Sequence, residues 1–285
     1  MLAILGGLGA AVAFAASTLA STRSSRLIGA ASTVAWVMLV GLPLAAAAAL
    51  LDTRGLSPAA YPWLATAGLG NVLGLGAEYA ALRIGRVGVV APLVATEGAI
   101  AALISIVVGA PLVAALLPAL GLVVAGGALT AASADADDAG EPGSLARRPV
   151  LSAVLGLAAA LAFGASLYAT GRVSQSLPLG WVALAPRVAG VLLVAVPLIA
   201  SRRLRISGQA GPMVVIAGLA EVIGFFCVGV GARSNLAVTS VLTAQFAALA
   251  VIGAVFLFGE RLRPVQRAGV VAIAVGTGLV ALLRV

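Results

Sequence analysis

Residues 87–108 read VGVVAPLVATEGAIAALISIVV, and this stretch contains the pattern that decides the fold. A helix needs roughly 20 apolar residues to cross the hydrocarbon core of a bilayer. The stretch is long enough, and its one charged residue, Glu97, lies near its middle. It therefore predicts a membrane-spanning helix that carries one energetically costly side chain.

Nine other apolar runs of similar length are separated by short clusters of Arg, Pro, Asp or Gly. They lie at about residues 2–20, 27–51, 62–82, 112–131, 150–170, 178–201, 212–231, 236–258 and 265–283. The sequence thus predicts an all-α integral membrane protein with ten transmembrane helices. We expect it to lie in the lipid bilayer of the inner (plasma) membrane.

The composition agrees, since 62% of the 285 residues are apolar and 9% are charged, whereas soluble domains are about half apolar and a quarter charged. The net charge of +8 comes from Arg residues that lie mostly between apolar runs. We therefore expect no nucleic-acid partner. Because His is absent and Cys227 is the single cysteine, we expect no metal, no cofactor and no His-based catalysis.

The two halves of the chain resemble each other at a nearly constant spacing. Residues 13–23, AFAASTLASTR, match residues 162–172, AFGASLYATGR, at an offset of 149. Residues 67–74, AGLGNVLG, match residues 217–224, AGLAEVIG, at an offset of 150. We interpret these matches as the trace of an internal duplication.

The duplication divides the chain into a first five-helix repeat at 1–131, a polar linker at 132–149 and a second five-helix repeat at 150–285. Because five is odd, the second repeat must cross the membrane in the opposite sense to the first. Inverted repeats of this kind occur in secondary transporters, whose sites lie near the membrane midplane between the repeats.

The Arg residues predict an orientation. Twelve lie in or beside the connections that follow the odd-numbered helices, and four lie on the other side. Positively charged loops stay in the cytoplasm, so we expect both termini to lie outside.

Four segments carry a resemblance to a known family. The loop FGERLRP at 258–264 resembles the "GE+LsP" loop of EamA-like members of the drug/metabolite transporter (DMT) superfamily. EYAALR at 78–83 and VVAPLVATE at 89–97 look like the third and fourth helices of that repeat. Ala185, Pro186 and Arg187 resemble its second helix, which often carries Arg.

The resemblance implies a ten-helix secondary transporter of a small metabolite or drug, often an exporter, as a monomer or homodimer. It also implies cytoplasmic termini, in conflict with the Arg distribution. The chain departs from the family pattern where Ala110 replaces the loop Glu of the first repeat and where Gly98 follows Glu97 in place of Pro.

Three ionisable residues are expected near the midplane, where each costs on the order of 2.5–3.5 kcal/mol and tends to mark a solute path. They are Glu97, Glu221 and Arg187. We hypothesise that Glu97 exchanges a proton for the substrate and that Arg187 attracts an anionic substrate. The structural alternative is a permanent Glu97–Arg187 ion pair that only joins two helices.

Other polar residues are candidates for the same substrate or coupling-ion site. Asn71 aligns with Glu221 in the repeat and shares a helix face with Glu78. Their structural alternatives are an interhelical hydrogen bond and neutralisation of Arg83 by Glu78. Softer candidates are Thr96, Thr243 and Gln245, since hydroxyl groups in membrane helices often bond only their own backbone.

Two competing classes of function remain open at this point. An intramembrane enzyme would need a nucleophile and a base, which are hard to assemble without His. A non-transporting interaction protein would leave the three midplane charges unexplained. Outside the membrane centre, we expect Glu260 to form a loop salt bridge with Arg261 or Arg263.

Overall fold

The computed structural model describes residues 1–51, 57–109, 115–132, 148–173, 177–234, 236–243 and 245–283. Helix accounts for 88% of them, and no strand occurs among them. The α-helices are α1 Leu2–Ile28, α2 Ala30–Leu50, α3 Tyr61–Ile84, α4 Val87–Val94, α5 Glu97–Val107, α6 Leu116–Ala132, α7 Pro149–Val173, α8 Leu179–Gly190, α9 Val196–Ala200, α10 Ala210–Ser234, α11 Leu236–Thr243, α12 Phe246–Phe258 and α13 Pro264–Leu283.

Six helical stretches in the described part of the chain, two of which join consecutive helices, are long and apolar enough to cross a membrane. They are Leu2–Ile28, Ala30–Leu50, Val87–Val107, Pro149–Arg172, Leu179–Ala200 and Ala210–Gly231. Shorter apolar helices lie at Leu117–Leu129, Phe246–Phe258 and Pro264–Val280. The expectation of an all-helical, multi-pass membrane protein is confirmed at this level. Helix α3 is not among the six, because Asn71, Glu78 and Arg83 dilute its apolar character.

The apolar pattern predicts one continuous helix at 87–108. The structure differs, because a turn at Ala95 and Thr96 separates α4 from α5. The backbone N–H of Thr96 bonds the carbonyl of Leu93, three residues back, at 3.2 Å. The run at 236–258 is divided in the same way, since the N–H of Gln245 bonds the carbonyl of Leu242 at 3.2 Å. At both breaks a backbone N–H bonds the carbonyl three residues back instead of four, as in a turn of 3₁₀-helix.

The two breaks lie at equivalent places in the two halves. The offset of 149 that aligns the first sequence match also places the start of α4 on the start of α11, and the start of α5 on the start of α12. The helix contacts follow the same correspondence: α1 packs on α10 as α7 packs on α3, and α1 contacts α12 as α7 contacts α5. Helices α6 and α13 pack on each other, as do α2 and α8.

The described connections between helices range from one residue, between α1 and α2, to nine residues, between α9 and α10. A single residue, Gly29, joins α1 to α2, and its φ of 88° is one that a residue with a side chain rarely adopts. Arg23, Arg26 and Arg83, which the sequence assigns to connections, lie inside the ends of α1 and α3. Most of the predicted linker at 132–149 lies outside the described residues, and α7 already begins at Pro149.

Candidate functional site

Helix α1 packs on α3 and α10, and α8 packs on the same two helices. The four helices bury a polar cluster between them. Helix α8 continues through a π-helical segment, Val191–Ala195, into α9. Segments of π-helix are rare and often occur at functional sites. The cluster consists of Ser17, Thr18 and Ser21 of α1, Asn71, Glu78 and Tyr79 of α3, Arg187 of α8 and Glu221 of α10.

Glu221 is the centre of this cluster and is 6% exposed. The Ser17 hydroxyl donates a hydrogen bond to its Oε2 at 3.3 Å. Asn71 also interacts with the Glu221 carboxylate through its side chain, while Asn71 Oδ1 has no hydrogen-bond partner. The two residues that the repeat aligns with each other, Asn71 and Glu221, therefore meet in space.

Arg187 is completely buried and is the largest fully buried side chain among the described residues. Its Nη1 lies 3.7 Å from the sulfur of Met38, and its guanidinium carbon lies 5.5 Å from the centre of the Phe225 ring. Its Nε and Nη2 have no hydrogen-bond partner. A Cβ on Gly41 of α2 would lie 2.9 Å from Nε, so this glycine makes room for the guanidinium.

The electrostatic partner of Arg187 is Glu221. The structure therefore does not contain the permanent Glu97–Arg187 ion pair that was the structural alternative from the sequence. The side chains of Arg187 and Glu221 attract each other, yet Arg187 keeps two nitrogen atoms unbonded. Because a buried donor without a partner costs about 1–3 kcal/mol, this guanidinium is suited to bind an acceptor that enters the cluster.

Glu78 lies on the same buried face of α3 as Asn71. It accepts a hydrogen bond from the Thr18 hydroxyl at 3.2 Å and lies close enough to Glu221 and Glu97 to interact with their charges. It does not neutralise Arg83. Tyr79 is also buried here, and its hydroxyl lies beside the hydroxyl groups of Ser17 and Ser21.

Glu97 lies at the start of α5, immediately after the break in the helix. It is only partly buried, unlike Glu78 and Glu221, and it senses the charge of Glu221. The first turn of a helix favours a carboxylate. Among the described residues, no group of three or more His, Cys, Asp or Glu could hold a metal ion.

The remaining polar candidates for the site lie at the two helix breaks; they are Thr96, Thr243 and Gln245. The Thr96 hydroxyl bonds its own backbone at the carbonyl of Leu93, 2.7 Å away, as membrane threonines often do. The Thr243 hydroxyl is buried and has no hydrogen-bond partner. Gln245 lies in the turn between α11 and α12.

Glu260 differs from its predicted role as a loop salt bridge. Its carboxylate accepts hydrogen bonds from the backbone N–H groups of Val87 at 3.0 Å and Gly88 at 2.9 Å. It thereby caps the first turn of α4, whose N–H groups have no partner within the helix. The reason is tertiary, because the loop after α12 lies against the start of a helix in the other half.

Sequence reasoning missed the contribution of α1. Ser17 and Ser21 are four residues apart, as are Thr18 and Thr22, so they form buried polar rows along the helix. Ser17 also bonds the carbonyl of Ala217 at 3.2 Å, and its counterpart Ser166 bonds the carbonyl of Ala67 at 2.7 Å. The four-residue spacing of these hydroxyl residues is the sequence signal that would have indicated a polar face on α1.

Comparison with known proteins shows the fold alone. No family model and no curated protein matches the chain. A solved structure described as "Crystal structure of protein" matches over 99% of this chain and 96% of its own length, with a TM-score of 0.67 and 19% sequence identity. The whole helical arrangement is thus one that a solved protein also adopts.

Proposed function

We propose that this protein is a secondary transporter of the EamA-like type in the DMT superfamily. It moves a small metabolite or drug across the inner (plasma) membrane by alternating access, in the direction of export. Its substrate binds in the polar cluster between α1, α3, α8 and α10. It works without a cofactor, as a monomer or homodimer.

The observation that carries the proposal is the state of Arg187. A charged side chain inside a membrane helix is costly and is retained where it binds a substrate or an ion. Arg187 is fully buried, and two of its nitrogen atoms have no partner. An anionic or carboxylate-bearing group of the substrate would supply the missing acceptors. Asn71 Oδ1, which has no partner, would accept a hydrogen bond from a donor elsewhere on the substrate.

The correspondence between the halves supports ten spans in two inverted repeats. Equivalent helices break at equivalent places under the offset of the sequence repeat, and the contacts between helices repeat under the same exchange. Transporters with inverted repeats place their sites at discontinuous helices between the repeats. Glu97 lies at one such discontinuity, beside the cluster.

A thermal-shift screen of the purified protein tests the proposal. We expect at least one small carboxylate or phosphate metabolite, or an anionic drug, to raise the melting temperature with concentration, because a ligand that binds the folded state stabilises it. Arg187→Gln should abolish that rise. The compound found should then accumulate in proteoliposomes that contain the wild-type protein and not in those that contain the variant.

Arg203→Gln is the matched control, since it removes the same charge from an exposed residue. It should leave both the stabilisation and the transport unchanged. The proposal fails if no anionic compound stabilises the protein, or if Arg187→Gln and Arg203→Gln respond alike.

A further inference from the structure

A cavity of about 450 Å³ lies where α5 and α7 end. Small-molecule sites have volumes of roughly 300–1,000 Å³, so this one is large enough to hold a ligand. Its wall is mostly apolar and includes Ala101, Val108, Leu167, Tyr168, Gly171 and Arg172. None of the described lining residues belongs to the polar cluster, so the cavity is separate from the proposed transport site.

Arg172, in the last turn of α7, lies over an aromatic ring at the rim of the cavity. Its guanidinium carbon is 5.3 Å from the centre of the Trp63 ring, near the start of α3. The Tyr168 ring packs edge-on against Trp63, with the ring centres 6.0 Å apart. A guanidinium that stacks on a ring through its face still donates hydrogen bonds from its edge, where phosphate oxygens bind.

The charge of Arg172 is not balanced within the cavity. Arg172 is exposed, and the described lining contains no Asp or Glu. A positive charge at a site with no negative partner attracts an anion. The charge of the site therefore favours an anionic ligand.

The cavity joins this charge to an apolar surface. Trp and Tyr are enriched where membrane helices meet the lipid headgroups, which is where Trp63 and Tyr168 place the rim. The wall then extends along α5 to Ala101, six residues before the helix ends at Val107, or about 9 Å. Leu167 is 46% exposed, as expected for a side chain that faces acyl chains. The site thus has a cationic end at the interface and an apolar end in the hydrocarbon.

The other half of the chain repeats the arginine without its aromatic neighbours. The offset of 149 that aligns Arg172 with Arg23 places Leu19 opposite Tyr168. The Leu19 side chain fills the space beside Gly253, where a Cβ would clash with it. The combination of a cation, aromatic rings and a cavity is therefore a feature of one half and not a general result of the fold.

We propose that this cavity binds one anionic phospholipid of the surrounding bilayer. The phosphate accepts hydrogen bonds from Arg172, and the upper part of one acyl chain lies against the apolar wall along α5. Basic pockets between membrane helices bind acidic lipid headgroups in this way. A lipid fits the site better than a soluble anion does, because the cation lies at the end of an apolar surface. The proposal does not depend on what the protein transports.

Native mass spectrometry of the full chain in detergent measures the lipid preference. The protein is mixed with equal amounts of dioleoylphosphatidylglycerol, which is anionic, and dioleoylphosphatidylcholine, which has the same chains and no net charge. We expect the wild type to retain the anionic lipid with a roughly fivefold preference, since a basic residue near the membrane surface contributes about 1 kcal/mol. Arg172→Gln should abolish this preference. Equal retention of the two lipids by the wild type would overturn the proposal.

Arg23→Gln is the matched control, because it removes the same charge from the exposed residue that the repeat aligns with Arg172. It should leave the preference unchanged. If Arg172→Gln and Arg23→Gln lowered the preference equally, it would come from the net charge of the protein and the assigned site would be wrong.

Filling the cavity tests the apolar part of the site. A Cβ on Gly171 meets nothing within 4 Å, so Gly171→Leu should occupy the cavity without disturbing the fold and lower the retention of phosphatidylglycerol. Gly121→Leu is the control, since Gly121 is also exposed and unobstructed but lies in α6, outside the cavity. Retention unchanged by Gly171→Leu, or lowered equally by both substitutions, would contradict binding in the cavity.

Inorganic phosphate distinguishes a lipid from a soluble anion. Phosphatidylglycerol should raise the melting temperature of the wild type more than that of Arg172→Gln, because a ligand stabilises the state that binds it. Inorganic phosphate at millimolar concentration should raise neither. A rise with inorganic phosphate that equals the rise with the lipid and requires Arg172 would show that the ligand is a soluble anion, and the lipid assignment would be overturned.

Discussion

The ring of Phe14 in α1 lies against the backbone of Gly224 in α10, where a Cβ would stand 2.5 Å from Cε1. The ring of Phe163 in α7 lies in the same way against Gly74 in α3, where a Cβ would stand 2.5 Å from Cδ1. The sequence repeat aligns Phe14 with Phe163 at an offset of 149. The same contact between a phenylalanine ring and a glycine backbone therefore occurs twice between the halves. It joins α1 to α10 and α7 to α3.

This pairing predicts that Gly74→Ala and Gly224→Ala destabilise the protein. Each added methyl group would press on an aromatic ring, and overpacking of a core costs about 1–3 kcal/mol. Thermal unfolding of the purified protein should show a lower melting temperature for both variants.

Gly76→Ala is the control, because it lies in the same helix as Gly74 and a Cβ there meets nothing within 4 Å. It should be neutral or stabilise by roughly 0.5–1 kcal/mol, since alanine favours a helix interior over glycine. A melting temperature lowered equally by all three substitutions would contradict the packing explanation.

Glu260→Ala should destabilise α4 by about 1–2 kcal/mol, as expected for the loss of a helix cap. Glu260→Gln should cost less, because an amide oxygen can still accept one of the two backbone hydrogen bonds. Thermal unfolding and hydrogen exchange at Val87 and Gly88 measure the loss.

Arg261→Gln separates this cap from the loop salt bridge that the sequence predicts. Arg261 is exposed, and its substitution should leave the melting temperature unchanged. If Arg261→Gln were as destabilising as Glu260→Ala, the ion-pair interpretation would be the better one.

Proton coupling through the buried carboxyl groups is a separate prediction. Glu97 and Glu221 interact with each other's charge, so a solute that binds Arg187 would change how readily this pair holds a proton. Transport in proteoliposomes should lose its pH dependence in the Glu97→Gln, Glu221→Gln double variant. Retention of the full pH dependence would show that protons are not coupled through these two residues.

The Arg distribution predicts that the C-terminus lies outside the cytoplasm, while the family resemblance implies the reverse. A reporter fused after Val285 that is active only outside the cytoplasm should therefore give a signal. A second reporter, which works only in the cytoplasm and is fused at the same place, gives the complementary measurement. Activity of the second reporter alone would overturn the Arg-based orientation and support the family pattern.

The sequence could identify which residues are costly in a membrane, but not which residues they face. Glu221, Arg187 and Asn71 stand out because they interrupt apolar runs, and all three meet in the structure. Ser17 and Thr18 did not stand out, since hydroxyl groups are common in membrane helices. The break after Val94 was missed because the apolar pattern continues across it.

The sequence by itself determined the membrane class, the approximate positions of the apolar runs and the constant offset between the halves. These properties follow from composition and order along the chain. Only the tertiary structure decided that Arg187 faces Glu221 and not Glu97, and that Glu260 caps α4. Membrane helices are apolar on nearly every side, so periodicity does not reveal which face meets which neighbour. That choice is made by close contacts between distant segments, such as Phe14 on Gly224.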